Sequence, residues 1–132
     1  MRILIVEDDF ISRKLLQKTL SHHGECDIAV DGKEAIEAYK LATGEARPYD
    51  LICMDIMMPH IDGISALKAI RKIEKDSGVA AVNEVKVIMT TALNDPKTVV
   101  DSLYRAGATS YVVKPINTKE LVAEIRKLGL LA

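Results

Sequence analysis

Short apolar runs, several of them β-branched, alternate along the chain with longer segments whose apolar residues recur at helical steps. Arg2-Ile3-Leu4-Ile5-Val6 reads as a strand. Ile11, Leu15, Leu16 and Leu20 then mark a helix that ends at His22-His23-Gly24. Cys26 to Val30 is a second, shorter strand. Asp31 begins D-G-K-E, an N-cap with an acid three residues on, and Ala35, Ala38, Tyr39 and Ala42 carry the second helix. Tyr49 to Met54 is the third strand. Ile64, Leu67, Ile70 and Ile73, widened by Ala66 and Ala69, define the third helix, and the polar stretch Asp76 to Glu84 is a loop. Val85 to Met89 is the fourth strand. Asp95-Pro96 opens a fourth helix, cap before proline, with Val99, Val100, Leu103 and Ala106 as its stripe and Gly107 as its end. Ser110 to Val113 is the fifth strand. Asn117 and Glu120 cap a last helix whose stripe is Leu121, Val122, Ile125 and Leu128.

Five strand–helix units in succession imply an α/β fold, a parallel sheet with helices on both faces and right-handed crossovers. With no repeat, low-complexity tract or linker, residues 1–132 read as a single domain. In such a sheet, ligands bind beyond the carboxyl ends of the strands. Strand 1 ends in Glu7-Asp8-Asp9, strand 3 in Asp55, strand 4 in Thr90-Thr91 and strand 5 in Lys114-Pro115. Strand 2 ends at Asp31-Gly32, which capping already explains.

Charge is nearly balanced, at a formal −1, so no bulk field draws the chain to nucleic acid or an anionic membrane. No apolar run is long enough to cross a bilayer, and acids follow the first strand too closely for a secretory signal. The expectation is a cytoplasmic protein. Cys26 and Cys53 lie in strand-like stretches without CxxC spacing and read as small buried hydrophobes.

The segment DLICMDIMMPHIDG holds one carboxylate, Asp55, among apolar residues, and an ionised carboxylate removed from water needs a partner. If strands 1 and 3 are neighbours, about 4.8 Å apart, the acids of strand 1 crowd Asp55. Crowded carboxylates resist joint ionisation. A divalent cation with oxygen ligands relieves the conflict, and Mg²⁺ suits a site with few carboxylates, waters and a phosphoryl oxygen. Lys114 adds a fixed positive charge and a threonine hydroxyl adds a donor. Those groups match what a phosphoryl group needs, and a carboxylate can itself attack phosphorus. Asp55 is therefore placed to accept a phosphoryl group.

ILIVEDD, DLICMDIMMPHIDG, VIMTTA and YVVKP, in this order, resemble the receiver domain of two-component response regulators over essentially the whole chain. The resemblance implies a flavodoxin-like (βα)5 fold with strand order 2-1-3-4-5. It implies that Asp55 is phosphorylated by a sensor histidine kinase or phosphotransfer protein. It assigns Mg²⁺ to Asp8 directly, Glu7 through water, Asp55, and the backbone carbonyl of Met57. Thr91, the threonine followed by Ala92, matches the switch hydroxyl, so Thr90 does not. Lys114 contacts the phosphoryl oxygens, its bond to Pro115 is expected to be cis, and Tyr111 matches the aromatic switch position. The output face would be helix 4, strand 5 and helix 5, read by a protein partner rather than DNA. Met57 and Leu93, apolar where the family tunes phosphoryl loss, imply slow self-dephosphorylation, and no other enzymatic turnover is expected.

Other polar residues have plainer readings. Asp9 suits the N-cap of helix 1 and Asp62-Gly63 a turn and helix start. His22 and His23 sit at a helix C-terminus, which favours imidazolium. His60 reads as a solvated loop residue, Met54, Met57 and Met58 as packing, and Tyr39 and Tyr104 as ordinary helix residues. The rival class is a Mg²⁺-dependent phosphohydrolase using an aspartyl phosphate. Such enzymes place a second acid two residues after the nucleophile, and Met57 stands there. A flavodoxin-like cofactor binder is disfavoured by the acidic first loop and the absence of a glycine-rich cradle.

Overall fold

In the computed structural model, which describes residues 1–92 and 97–131, strands and helices alternate. They run β1 (Arg2–Val6), α1 (Phe10–Leu20), β2 (Glu25–Ala29), α2 (Gly32–Gly44), β3 (Leu51–Asp55), α3 (Gly63–Asp76), β4 (Lys86–Thr91), α4 (Lys97–Ala106), β5 (Ser110–Val113) and α5 (Thr118–Lys127). A short 3₁₀ turn, Ala81–Asn83, interrupts the loop before β4. All neighbouring strands are parallel, in the order β2-β1-β3-β4-β5.

Side chains alternate across the sheet, and both faces are covered. Leu4, Val6, Ile52, Met54, Val87 and Met89 pack against Ala35, Tyr39, Leu67, Ile70 and Leu103 of α2, α3 and α4. Ile3, Ile5, Leu51, Cys53, Ile88 and Val112 pack against Leu16, Leu20, Leu121 and Ile125 of α1 and α5. Strands buried on both faces read as continuous apolar runs, as β1, β3 and β4 do.

The helix starts follow their side-chain chemistry. The carboxylates of Asp9, Asp31 and Asp62 each accept from a backbone N–H three residues on, all at 2.8 Å. Glu34 returns the contact by accepting from Val30 N at 3.1 Å. Asn117 accepts from the backbone of Lys119 and Glu120 at 2.9 and 3.2 Å. Gly107, at φ +104°, ends α4 in a conformation costly for any other residue. The Asp95-Pro96 start of that helix lies outside the described residues.

Three expectations differ from the structure. Ile11 and Leu15 belong to the periodic stripe of α1 yet are 73 % and 39 % exposed, because the stripe is wider than the strip of sheet it covers. β2 begins and ends one residue earlier than the apolar run suggests, leaving Val30 outside. β3 and β4 begin later than expected, at Leu51 and Lys86, and run on to Asp55 and Thr91, since pairing with their neighbours continues into the polar residues. Tyr39 is buried, in keeping with its place in the apolar stripe of α2.

Candidate functional site

Register brings the chemistry together. Val6 lies opposite Met54, so Glu7, one step on, comes level with Asp55, and Asp55 lies opposite Thr90. Glu7 is fully buried and Asp8, next along the chain, faces solvent. One carboxylate oxygen each from Glu7, Asp8 and Asp55 fall within 4.8 Å of one another. Asp9 turns away to cap α1, as its position suggested.

Lys114 reaches over this row from the end of β5. Its Nζ lies 2.8 Å from Glu7 Oε1 and 3.3 Å from Asp55 Oδ2. The other Glu7 oxygen accepts from Asp9 N at 3.3 Å. Burial makes Glu7 give up its proton less readily than an ordinary glutamate, against the opposing pull of Lys114. Burial alone would weaken the Lys114 ammonium, but its bond to Glu7 and the field of Asp55 more than reverse that, so the charge is held. The Lys114–Pro115 peptide bond is cis.

Thr91 is buried at the end of β4, and its Oγ1 donates to the carbonyl of Ala92 at 3.1 Å. Ala92 itself is exposed. Tyr111 is half-buried on β5 and meets Tyr104 of α4 edge to face, with centroids 6.0 Å apart. Met57 begins the loop after β3 with its side chain in water, 75 % exposed. Leu93 lies outside the described residues.

Three further residues support the site without having been assigned to it from the sequence. Arg13, one turn into α1, donates to the carbonyls of Glu7 and Asp8 at 3.1 and 3.4 Å and so fixes the acidic loop. Gly63 donates to Ile56 O at 2.8 Å, and a Cβ there would lie 2.1 Å from the carbonyl oxygen of Asp55. Only a residue without a side chain lets α3 start so close to the acid-bearing strand. His60, at φ +68°, is exposed as expected but contacts the Asp31 carboxylate at 3.3 Å, tying this loop to the start of α2.

The donor set is hard: among the described residues, three carboxylates cluster beside the Lys114 ammonium. It is consistent with a divalent metal site, and it holds an acid within reach of a cation that can neutralise a second anion.

The family model for the response regulator receiver domain matches residues 3–126. The chain is 40 % identical to Protein RcaC of Microchaete diplosiphon over 97 % of its own length, but spans only 18 % of that protein. It is 33 % identical to the chemotaxis protein CheY of Thermotoga maritima, covering 97 % of each chain. Among solved structures, it overlays the receiver domain of the Saccharomyces cerevisiae response regulator Ssk1 with a TM-score of 0.85. Identity there is 30 %, with 98 % of this chain and 88 % of that one covered. That receiver was crystallised with the histidine phosphotransfer signalling protein Ypd1.

Proposed function

The chain belongs to the response regulator receiver domain family, and from that premise we propose that Asp55 accepts a phosphoryl group in a two-component phosphorelay. The observation that carries the assignment is Lys114 Nζ held 3.3 Å from Asp55 Oδ2, beside the Glu7–Asp8–Asp55 cluster. The donor is a phosphohistidine on a sensor histidine kinase or phosphotransfer protein. An Asp55 oxygen forms the new P–O bond as the P–N bond breaks, and the imidazole keeps the electron pair and takes up a proton. Acyl phosphates serve as small donors because the receiver supplies the catalytic groups.

Mg²⁺ is the ion that suits this donor set: Asp8, Asp55 and the Met57 carbonyl would hold it, with Glu7 acting through water. When bound, it supplies charge neutralisation for the phosphoryl oxygens. The remaining work falls to the chain. Lys114 holds the transferred group, and Thr91 leaves its Ala92 contact to donate to it. Tyr111 follows Thr91 inward from its edge contact with Tyr104, reshaping the α4–β5–α5 face that a protein partner reads. Phosphorylation thus biases a two-state equilibrium by giving one state bonds the other lacks.

We read residues 1–132 as one receiver domain acting in the cytoplasm, with no direct nucleic-acid contact. It performs no enzymatic turnover beyond its own phosphorylation and slow dephosphorylation. The exposed thioether of Met57 offers nothing to orient a hydrolytic water, which is also why the phosphohydrolase alternative is not favoured. The test is incubation with Mg²⁺ and acetyl phosphate followed by intact-mass analysis. A single phosphoryl adduct on the wild type, absent from Asp55→Asn, is expected. No adduct, or equal adducts on both, would refute the assignment.

A further inference from the structure

Thr90 is the second hydroxyl at the end of β4 and is the one the family pattern leaves without a role. It is 1 % exposed, and its Oγ1 has no hydrogen-bond partner among the described residues. A buried hydroxyl left unpaired is costly and rare enough to require an explanation.

Its place in the sheet supplies one. Thr90 lies opposite Asp55 on one side and Val112 on the other. Val112, Cys53 and Ile5 all belong to the α1–α5 face. Because side chains alternate along strands, Glu7, Asp55 and Thr90 form one lateral row on that same face, with Asp55 in the middle. Thr91, one residue on, belongs to the opposite face, and its hydroxyl is already engaged with Ala92 O. The two threonines therefore address Asp55 from different sides.

In the resting state the Asp55 carboxylate takes its charge partner from Lys114, at 3.3 Å, while Lys114 also bonds Glu7 at 2.8 Å. An arriving phosphoryl group competes for that ammonium. Asp55 then loses part of its donor supply at the moment its oxygen must be aimed at phosphorus. The nearest uncommitted donor in the row is Thr90, one strand away, about 4.8 Å between backbones.

We propose that the Thr90 hydroxyl is a positioning group for the acceptor: it donates to the Asp55 carboxyl as Lys114 turns to the phosphoryl oxygens. The inference rests on the phosphoacceptor reading above. In that role the Thr90 hydroxyl acts on the carboxyl being aimed and not on the phosphoryl oxygens, so its effect is on the rate of transfer and on the lifetime of the product.

The experiment compares wild type, Thr90→Val, Thr90→Ser and Asp55→Asn with Mg²⁺ and acetyl phosphate, followed by intact mass over time, with melting temperatures measured in parallel. Valine replaces the hydroxyl by a methyl group of nearly the same shape, so Thr90→Val should melt at or above the wild-type temperature. Its phosphorylation should be slower by about five- to tenfold, the worth of one hydrogen bond, with Thr90→Ser restoring most of the rate. Equal rates for wild type and Thr90→Val would overturn the inference. So would equal slowing of the valine and serine variants, which would mean the position acts by packing. A clearly lower melting temperature for Thr90→Val would show the hydroxyl already bonded at rest, contradicting the exchange of donors. Absence of any adduct on the wild type would instead sink the phosphoacceptor reading itself.

Discussion

Replacing Gly63 by alanine should damage both stability and the site, through one contact. The added Cβ would stand 2.1 Å from the carbonyl oxygen of Asp55 and 2.9 Å from Met89 Cε. The methionine end can swing aside, but the carbonyl belongs to a strand paired on both edges. Ordinary contact needs roughly 3.5 Å, so the start of α3 must retreat by more than about 1 Å. Alanine's better helix propensity returns about 1 kcal/mol at most, while overpacking of this kind costs about 1–3 kcal/mol. A net loss of about 1–2 kcal/mol is expected, lowering the melting temperature by roughly 4–10 °C for a domain of this size. The loop between Asp55 and α3 carries Met57 and shifts with the helix start, and a misplacement of about 1 Å can cost on the order of 10²-fold in rate. Urea unfolding and acetyl phosphate labelling of the same preparation measure both effects. A Gly63→Ala variant with wild-type stability and wild-type labelling would refute the close-approach argument.

Glu74→Ala should cost about 3 kcal/mol in urea unfolding. Glu74 is 2 % exposed and accepts from Arg71 at 2.7 Å and from Val85 N at 2.8 Å, so truncation orphans the buried Val85 N–H and strips the Arg71 guanidinium of its nearest carboxylate, and a loss below about 0.5 kcal/mol would contradict this. The fold should lose stability in alkali. Burial lifts Cys53 and Tyr39 to about 12 from 9.0 and 10.0, and burial with the Asp27 contact lifts Tyr49 as well. Between those values the unfolded chain has released protons that the native state keeps, so stability falls as pH rises from about 9. Unfolding free energies that stay flat from pH 8 to 11 would count against these shifts. Mg²⁺ should raise the melting temperature, logarithmically with concentration once above its Kd, and Asp8→Asn should blunt that rise. An undiminished shift in the variant would remove Asp8 from the ligand set.

Much of this molecule is written locally. The alternation of apolar runs with helical stripes determined the five strand–helix units. The short polar residues Asp9, Asp31, Asp62 and Asn117 determined where four helices begin, because a cap is a contact between near neighbours in sequence. Asp55, the pair Thr90-Thr91 and Lys114 could be singled out because parallel strands deliver their ends to one rim, and the family resemblance then chose Thr91 from the pair. Their chemistry there, unlike their placement, is a proposal for experiment.

Other features depended on segments far apart in the chain, and only the tertiary structure decided them. Ile11 and Leu15 carry the right period, yet which arc of α1 is covered depends on where the sheet and α5 lie. Glu74 looks like any polar helical residue until Val85 and Arg71 close over it. Gly63 looks like a turn glycine until the carbonyl of Asp55 arrives against it, and Thr90 looks redundant beside Thr91 until register sets it next to Asp55. Periodicity and capping act over one or two turns of chain, whereas close approach, burial and strand register are properties of pairs that only folding brings together.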